Sequence, residues 1–467
     1  MKKIHNLKLF ALIFLLGVFL VVVGFDFVQA EKPETPPGQD KGKPEPSTPI
    51  LYLNEYNIVT AEPDGTGHLH VWGLTDTTYT NYEKIWTAES VHHSSVAIGD
   101  IDGDNKREVV APTSCKIEGK AGKGPKGTSY YKYYINVYKE GFDASDYERG
   151  IWRSTYYDGL DNNIQETDHW SSEIAIANVD ADSPDADLLN EVVLMTASYI
   201  AIFKYDALKA YAYNDEQGAF QRIALQSPED SVGGISLVLQ SLVCGDIDDD
   251  GMDEILVAAN VPGLDANQSY ILAYDYNAAN TDTGLDLKFV KSIDDASIGH
   301  QSLRIADLDG DESVELCSPA YKYENGEYQS YIFIWEKTEG EWFGSRYDFL
   351  IISEADWPWN HLDTGELISD SPGDEIVLSI GNSRKLIQYE CTREGGSFQL
   401  IFVDEISVDP TCSIGGVNIA DVDGIDGNEI VVSGGSLEVY SSDWMWRRIE
   451  EADDGEIWYV AIGVPII

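Results

Sequence analysis

The sequence predicts an all-β chain, a seven-bladed β-propeller of four-stranded antiparallel blades, on three observations. One Asp-rich unit recurs six times after residue 50. Each copy is followed by further short segments of alternating apolar residues, and the two chain ends hold the pieces of a seventh copy. Helical periodicity is almost absent, and the 27 Tyr, 14 Phe and 11 Trp residues favour strands.

The unit consists of an apolar strand, an Asp-rich loop, a Glu and a second apolar strand. It reads VAIGDIDGDNKREVVAP from Val96, LVCGDIDDDGMDEILVAA from Leu242, LRIADLDGDESVELCSPA from Leu303 and VNIADVDGIDGNEIVVSGG from Val417. Looser copies start at Ile174 (IAIANVDADSPDADLLNEVVLM) and Gly365 (GELISDSPGDEIVLS). Third strands are expected at 133–139, 199–205, 270–276, 331–336, 386–390 and 437–441, and fourth strands follow, for example at 150–156, 220–226, 287–293, 398–404 and 444–449. The C-terminal EIWYVAIG, ending at Gly463, matches a first strand, while YNIVTAE, HLHVWGL and YEKIWTAES near the start match the other three. A blade assembled from both ends closes the ring and leaves no sheet edge open at its axis.

Within the loops the best copies keep the spacing DxDxDxxxE: Asp100, Asp102, Asp104 and Glu108; Asp246, Asp248, Asp250 and Glu254; Asp307, Asp309, Asp311 and Glu315. Carboxylates at alternate positions of a tight turn converge on one point, which suits a hard cation taking six to eight oxygens. A backbone carbonyl at Lys106, Met252 or Ser313 is expected to fill a further position. A hairpin alone needs one or two Asp or Gly residues, not four acids in register three times over. Blade six keeps Asp421, Asp423, Asp426 and Glu429 with Ile425 at the third Asp position, a shifted or weaker site. Blade two offers Asn178, Asp180, Asp182 and a delayed Glu191; whether it takes Ca2+ is open on ligand count. Blade five, with Glu366, Asp370, Asp374 and Glu375, has lost the spacing and is expected to be a metal-free turn.

The pattern strand-DxDGDxxxE-strand resembles the FG-GAP/VCBS repeat of integrin α-subunits and many prokaryotic exported proteins, over residues 50–467. The resemblance implies a seven-bladed propeller, Ca2+ in the hairpins between first and second strands on one face, and ligand binding on the other. That fold also carries adhesins, scaffolds and some polysaccharide lyases, so no activity follows from it.

The segments before the first strands should reach the face opposite the loops. His92, His93, His169, His300 and His361 fall there, with Trp170, Trp357 and Trp359, and with Trp86 in a like position. Inherited His residues bonding to a neighbouring blade explain this pattern; so does a pocket where Trp rings stack on sugars and His side chains hold hydroxyls or a transition metal. A Gly-rich insertion in blade one adds Lys116, Lys120, Lys123 and Lys126 to that face of a very acidic chain, either as a solvated excursion or as a catch for an anionic polymer.

Met1 to Ala30 carries Lys2, Lys3 and Lys8, an apolar run from Leu9 to Phe25 and the small-residue site Val28-Gln29-Ala30. This is a signal peptide or an N-terminal membrane anchor, with Val-x-Ala favouring cleavage. Residues 31–49, with six prolines, form a linker. A formal charge of -50 repels nucleic acid and anionic membranes and attracts cations, or marks a salt-adapted surface. Five scattered Cys residues without a CxxC pair indicate neither a disulfide framework nor a zinc site. No GxSxG, HExxH, Walker loop or Rossmann glycines occur. These readings favour an exported calcium-binding recognition or adhesion module for a surface polysaccharide or protein. The alternative is a secreted polysaccharide lyase or hydrolase with its site opposite the calcium loops.

Overall fold

The computed structural model describes residues 57–462 except 62–68, 75–81, 89–91, 94, 102, 104–106, 119–128, 139–150, 157–172, 181–189, 197, 206–219, 264–267, 325–326, 339–340, 353–359, 369–370, 381–383, 409–413, 424–426, 435, 442–445 and 452–458. The proposed signal and the linker lie outside these residues, as do residues 119–128 of the lysine-rich insertion; its first part, with Lys116, continues a strand and lies opposite Tyr131.

Seven antiparallel sheets are present. Blade three shows the plan, with first to fourth strands at Val238–Gly245, Glu254–Asn260, Ser269–Tyr276 and Leu285–Ile293. Blade two has Glu173–Ala177, Glu191–Met195, Ile200–Tyr205 and Phe220–Gln226. Blade five has Asn360–Gly365, Glu375–Ile380, Lys385–Glu394 and Ser397–Ser407, and blade six Ile414–Ala420, Glu429–Gly434, Ser436–Tyr440 and Trp446–Glu451.

Blades one and four break the first strand in two. In blade one His92–His93 and Ala97–Gly99 both pair with Glu108–Glu118, followed by Ser129–Tyr138 and Ile151–Tyr156. In blade four Ser297–Ile298 and Arg304–Ala306 pair with Glu315–Glu324, followed by Glu327–Thr338 and Glu341–Ile352.

The seventh blade joins the chain ends. Tyr459–Ile462 pairs antiparallel with Ile58–Ala61, in register Ile58↔Ile462 to Ala61↔Tyr459. Leu69–Leu74 and Tyr82–Ala88 complete the sheet. Each innermost strand touches the next around the circle, from Tyr459–Ile462 to Ala97–Gly99 and on through blades two to six back to the start.

Period-two alternation explains why second strands read as unbroken apolar runs: successive side chains point into different gaps, and both gaps are dry. In blade two Val192 packs toward blade one with Ile101 and Val137. Its neighbour Val193 packs toward blade three with Leu242 and Val257. Seven buried clusters fill the seven gaps between adjacent blades, the last uniting Val59 and Val71 with Val96 and Val109 across the closure. The gap between blades six and seven is also tied by the Tyr82 hydroxyl, which donates to the Val422 carbonyl at 2.7 Å.

Adjacent loops dock as well. Asp253 and Asp374 donate their backbone N–H to the carbonyls of Asn178 and Asp307 in the preceding blade, each at 2.8 Å. Gly310 lies under Pro372 of blade five at φ 73°, where a Cβ would fall 1.9 Å from the Pro372 carbonyl oxygen. Gly310→Ala therefore meets a backbone clash and a left-handed strain together. It is expected to lower stability by on the order of 1–3 kcal/mol, read as a clear drop in melting temperature.

Candidate metal centres and the axial polar cluster

Six loops share one lock. The Glu that opens each second strand accepts a hydrogen bond from a backbone N–H at the start of its own loop. The pairs are Ile101 with Glu108, Val179 with Glu191, Ile247 with Glu254, Leu308 with Glu315, Leu367 with Glu375 and Val422 with Glu429, at 2.7–3.2 Å. All six Glu residues are buried. The spacing of the repeat is thus first a folding device, including in blade five, where the Asp residues have drifted.

In blades three and four the loop then turns twice through left-handed backbone, at Asp249 and Gly251 and at Gly310 and Glu312. The first Asp serves the turn: Asp307 accepts from the N–H groups of Gly310, Asp311 and Glu312, and Asp246 from those of Asp250 and Gly251. Met252 and Ser313, expected to offer carbonyls, donate their N–H to Asp250 and Asp311.

The middle Asp of each loop leaves one oxygen over. Asp248 Oδ1 and Asp309 Oδ1 are buried without a hydrogen-bond partner, and the Asp309 side chain is 2% exposed. An unmatched buried carboxylate oxygen is costly and needs a cation or a donor.

Three groups bring their carboxylate oxygens within 4.8 Å of one another: Asp246, Asp248 and Asp250; Asp307, Asp309 and Asp311; and Asp421, Asp423 and Glu429. Such clusters can bind a metal ion. Burial, with the loop aspartates as a second cause, pushes Glu315 up to about 8. Burial likewise pushes Glu254 up to about 7, and Asp248 upward. In blade one Asp100 is buried and accepts from Gly103 N–H at 2.7 Å; Asp102, Asp104 and Lys106 lie outside the described residues, as do Asp182, Asp370 and Asp426. In blade two the Lys204 ammonium is ion-paired with Asp180, while Asn178 is exposed and donates its N–H to Asp253.

Three charged residues beside these loops were not anticipated: Lys204, Asp275 and Glu336. Each follows an aromatic on a third strand, as Phe203-Lys204, Tyr274-Asp275 and Trp335-Glu336, and that recurrence was the available signal. Lys288 ion-pairs with Asp275, and Arg393 from blade five bridges Glu336 and Asp309 while stacking on Phe398.

On the strand ends away from the loops, the expected His positions divide. His361 is not in an approach segment but inside the first strand of blade five, opposite Ser379 and buried. The reason is that this strand, Asn-His-Leu-Asp-Thr-Gly, carries a single large apolar residue and so hides its start. His92 and His93 form a short strand against Ser114 and Thr113. His300 is half-buried between the two pieces of its first strand. His169, Trp170, Trp357 and Trp359 lie outside the described residues.

Around His300 and His361 stand charged groups from the first strands of blades two, four and five. Arg304 is ion-paired with Asp363, whose other oxygen accepts from Ile419 N–H of blade six at 2.6 Å. Glu173 accepts from Leu242 N–H at 2.7 Å, at the position where Ser95 and Ser241 accept from Ile174 and Leu303. Among the described residues these side chains stitch blades one to six, each to the next. Burial pushes Glu173 up to about 7 even with Arg304 nearby. Burial also holds His300 down at about 4 and, with His300 and Arg304 adjoining, His361 at about 3, so both imidazoles are neutral at neutral pH.

No protein-family model matches this chain, and no curated protein matches it in sequence. Among solved structures it is similar to the periplasmic gluconolactonase PpgL of Pseudomonas aeruginosa, at 13% identity over 88% of this chain and 99% of that one, TM-score 0.45. It is similar to the Nup133 β-propeller domain of Vanderwaltozyma polyspora, at 12% identity over 84% and 98%, TM-score 0.41. A third is the NanB sialidase of Streptococcus pneumoniae, at 12% identity over 84% and 66%, TM-score 0.34. Likenesses this distant carry no argument about the site.

Proposed function

We propose that this chain is an exported recognition module whose loops between first and second strands bind Ca2+ and whose opposite face engages a surface polysaccharide or protein. The cation half rests on one observation: the buried Asp309 Oδ1 has no protein partner inside a group of three aspartates. Asp307, Asp309, Asp311 and Glu315 would hold one ion and Asp246, Asp248, Asp250 and Glu254 another, with Asp421, Asp423 and Glu429 as a third candidate. Blade one would add Asp100, Asp102, Asp104 and Glu108 on sequence spacing. Oxygen-only ligands of this number suit Ca2+ over softer metals. The loop resemblance to the FG-GAP/VCBS repeat supports the same assignment.

The recognition half draws on the N-terminal export segment, on the acidity that disfavours nucleic acid, and on the neutral imidazole of half-buried His300, which suits hydroxyl groups. A polysaccharide lyase or hydrolase is the second reading, because a carboxyl near 7 beside an arginine, as in Glu173, is a competent proton donor or acceptor. Two measurements test these readings. Calorimetric titration with Ca2+ should show binding that loses one site in Asp309→Asn; an isotherm without binding removes the cation assignment. A panel of acidic and neutral glycans should show binding without new reducing ends or unsaturated uronate, and turnover abolished by Glu173→Gln would establish the enzyme instead.

A further inference from the structure

In blades two, three and four the third strand sets a charged residue beside the loop. Ladder register places the residue after the paired aromatic opposite the lock Glu: Val192↔Phe203 sets Lys204 against Glu191, Ile255↔Tyr274 sets Asp275 against Glu254, and Leu316↔Trp335 sets Glu336 against Glu315. At one structural position, blades three and four carry an acid and blade two a lysine.

We propose that Lys204 is the built-in cation of the blade-two loop, which therefore takes no metal ion, whereas Asp275 and Glu336 add a carboxylate to the two loops that do. The second clause rests on the calcium reading above; the first does not.

The Lys204 ammonium contacts Asp180, whose side chain is 7% exposed. Glu191, locked by Val179 N–H, is the other carboxylate beside it. A buried carboxylate requires a counter-charge, and a covalently attached one is present at any calcium concentration. A divalent ion placed among the same oxygens would meet the ammonium at contact distance and be repelled. The basic residues of the other two blades act differently. Lys288 is taken up by Asp275, and Arg393 is divided between Glu336 and Asp309 Oδ2, so Asp248 Oδ1 and Asp309 Oδ1 remain uncovered.

The test counts bound Ca2+ per full chain by equilibrium dialysis, with melting curves in chelator and in saturating Ca2+. Asp180→Asn should leave the count unchanged. Lys204→Glu should raise it by one and melt lower than wild type in chelator, with the loss recovered by Ca2+. Lys204→Met should melt lower in both buffers. Loss of one ion in Asp180→Asn, or no gain in a folded Lys204→Glu, overturns the proposal; if Lys204→Glu fails to fold, the Asp180→Asn count and the same gain in Lys204→Gln decide it. A wild type binding no ion removes the calcium reading of blades three and four, while a Lys204→Glu protein that then binds one still upholds the lysine.

Discussion

Deletion of residues 457–467 is expected to leave the chain insoluble or without a cooperative melt, whereas deletion of residues 1–45 should leave the domain folded. Residues 459–462 form the innermost strand of the closing blade and pair with all four residues of Ile58–Ala61. Those four are fully buried, with Ile58 packed toward blade six and Val59 toward blade one. Without the last strand their inward edge loses its partners. The inner strands of blades one and six lose a neighbour at the same time. Each orphaned buried backbone group costs about 1–3 kcal/mol, so a few of them approach the 5–15 kcal/mol that holds a typical domain together. Soluble yield and a chemical denaturation curve of the truncated protein check this. A truncated chain that melts cooperatively at the wild-type temperature would show that the ends do not clasp the ring.

The blade plan was legible because its signal is repetitive and apolar. Every second strand is buried on both faces, so it reads as a run such as Glu-Ile-Leu-Val-Ala-Ala, and the Asp-rich turn fixes where the run begins. Where the inner strand is polar the reading slipped, as at Asn360–Gly365, because Asp363 and His361 there answer to neighbouring blades and not to an apolar core. The loop carboxylates were also legible, being close in sequence. Their counter-charges were not: Arg393 is 84 residues from Asp309 and reaches it by packing of blade five on blade four, while Lys204 meets Asp180 only through the register of blade two. Glu173, Arg304 and Asp363 were hidden for the same reason, since each is one polar letter within its own blade and gains meaning only from the next.

Removal of Ca2+ is expected to destabilise the protein more as pH rises, and this follows from the sign of the carboxyl shifts. Without a cation, Glu254 lies at about 7 and Glu315 at about 8, both raised first by burial and then by the loop aspartates. Glu173 also lies at about 7, raised by burial. Each is raised above its ordinary value of 4.5. The folded state therefore binds more protons than the unfolded chain between 4.5 and the raised values, and stability falls as pH climbs through that window. His300 and His361, held down at about 4 and about 3, act in the opposite direction and lower stability as pH falls below 6.5. In chelator the melting temperature should therefore peak at mildly acid pH and decline toward pH 8. Bound Ca2+ keeps the loop carboxylates ionised at no such cost and adds about 2.7 kcal/mol per site at a hundredfold excess over Kd. The gap between melting curves with and without Ca2+ should thus be small near pH 5 and widen steadily to pH 8. Asp309→Asn should narrow it, and a change at Asp370 should not. A gap of equal size at every pH would mean that Ca2+ acts elsewhere than at the buried loop carboxylates.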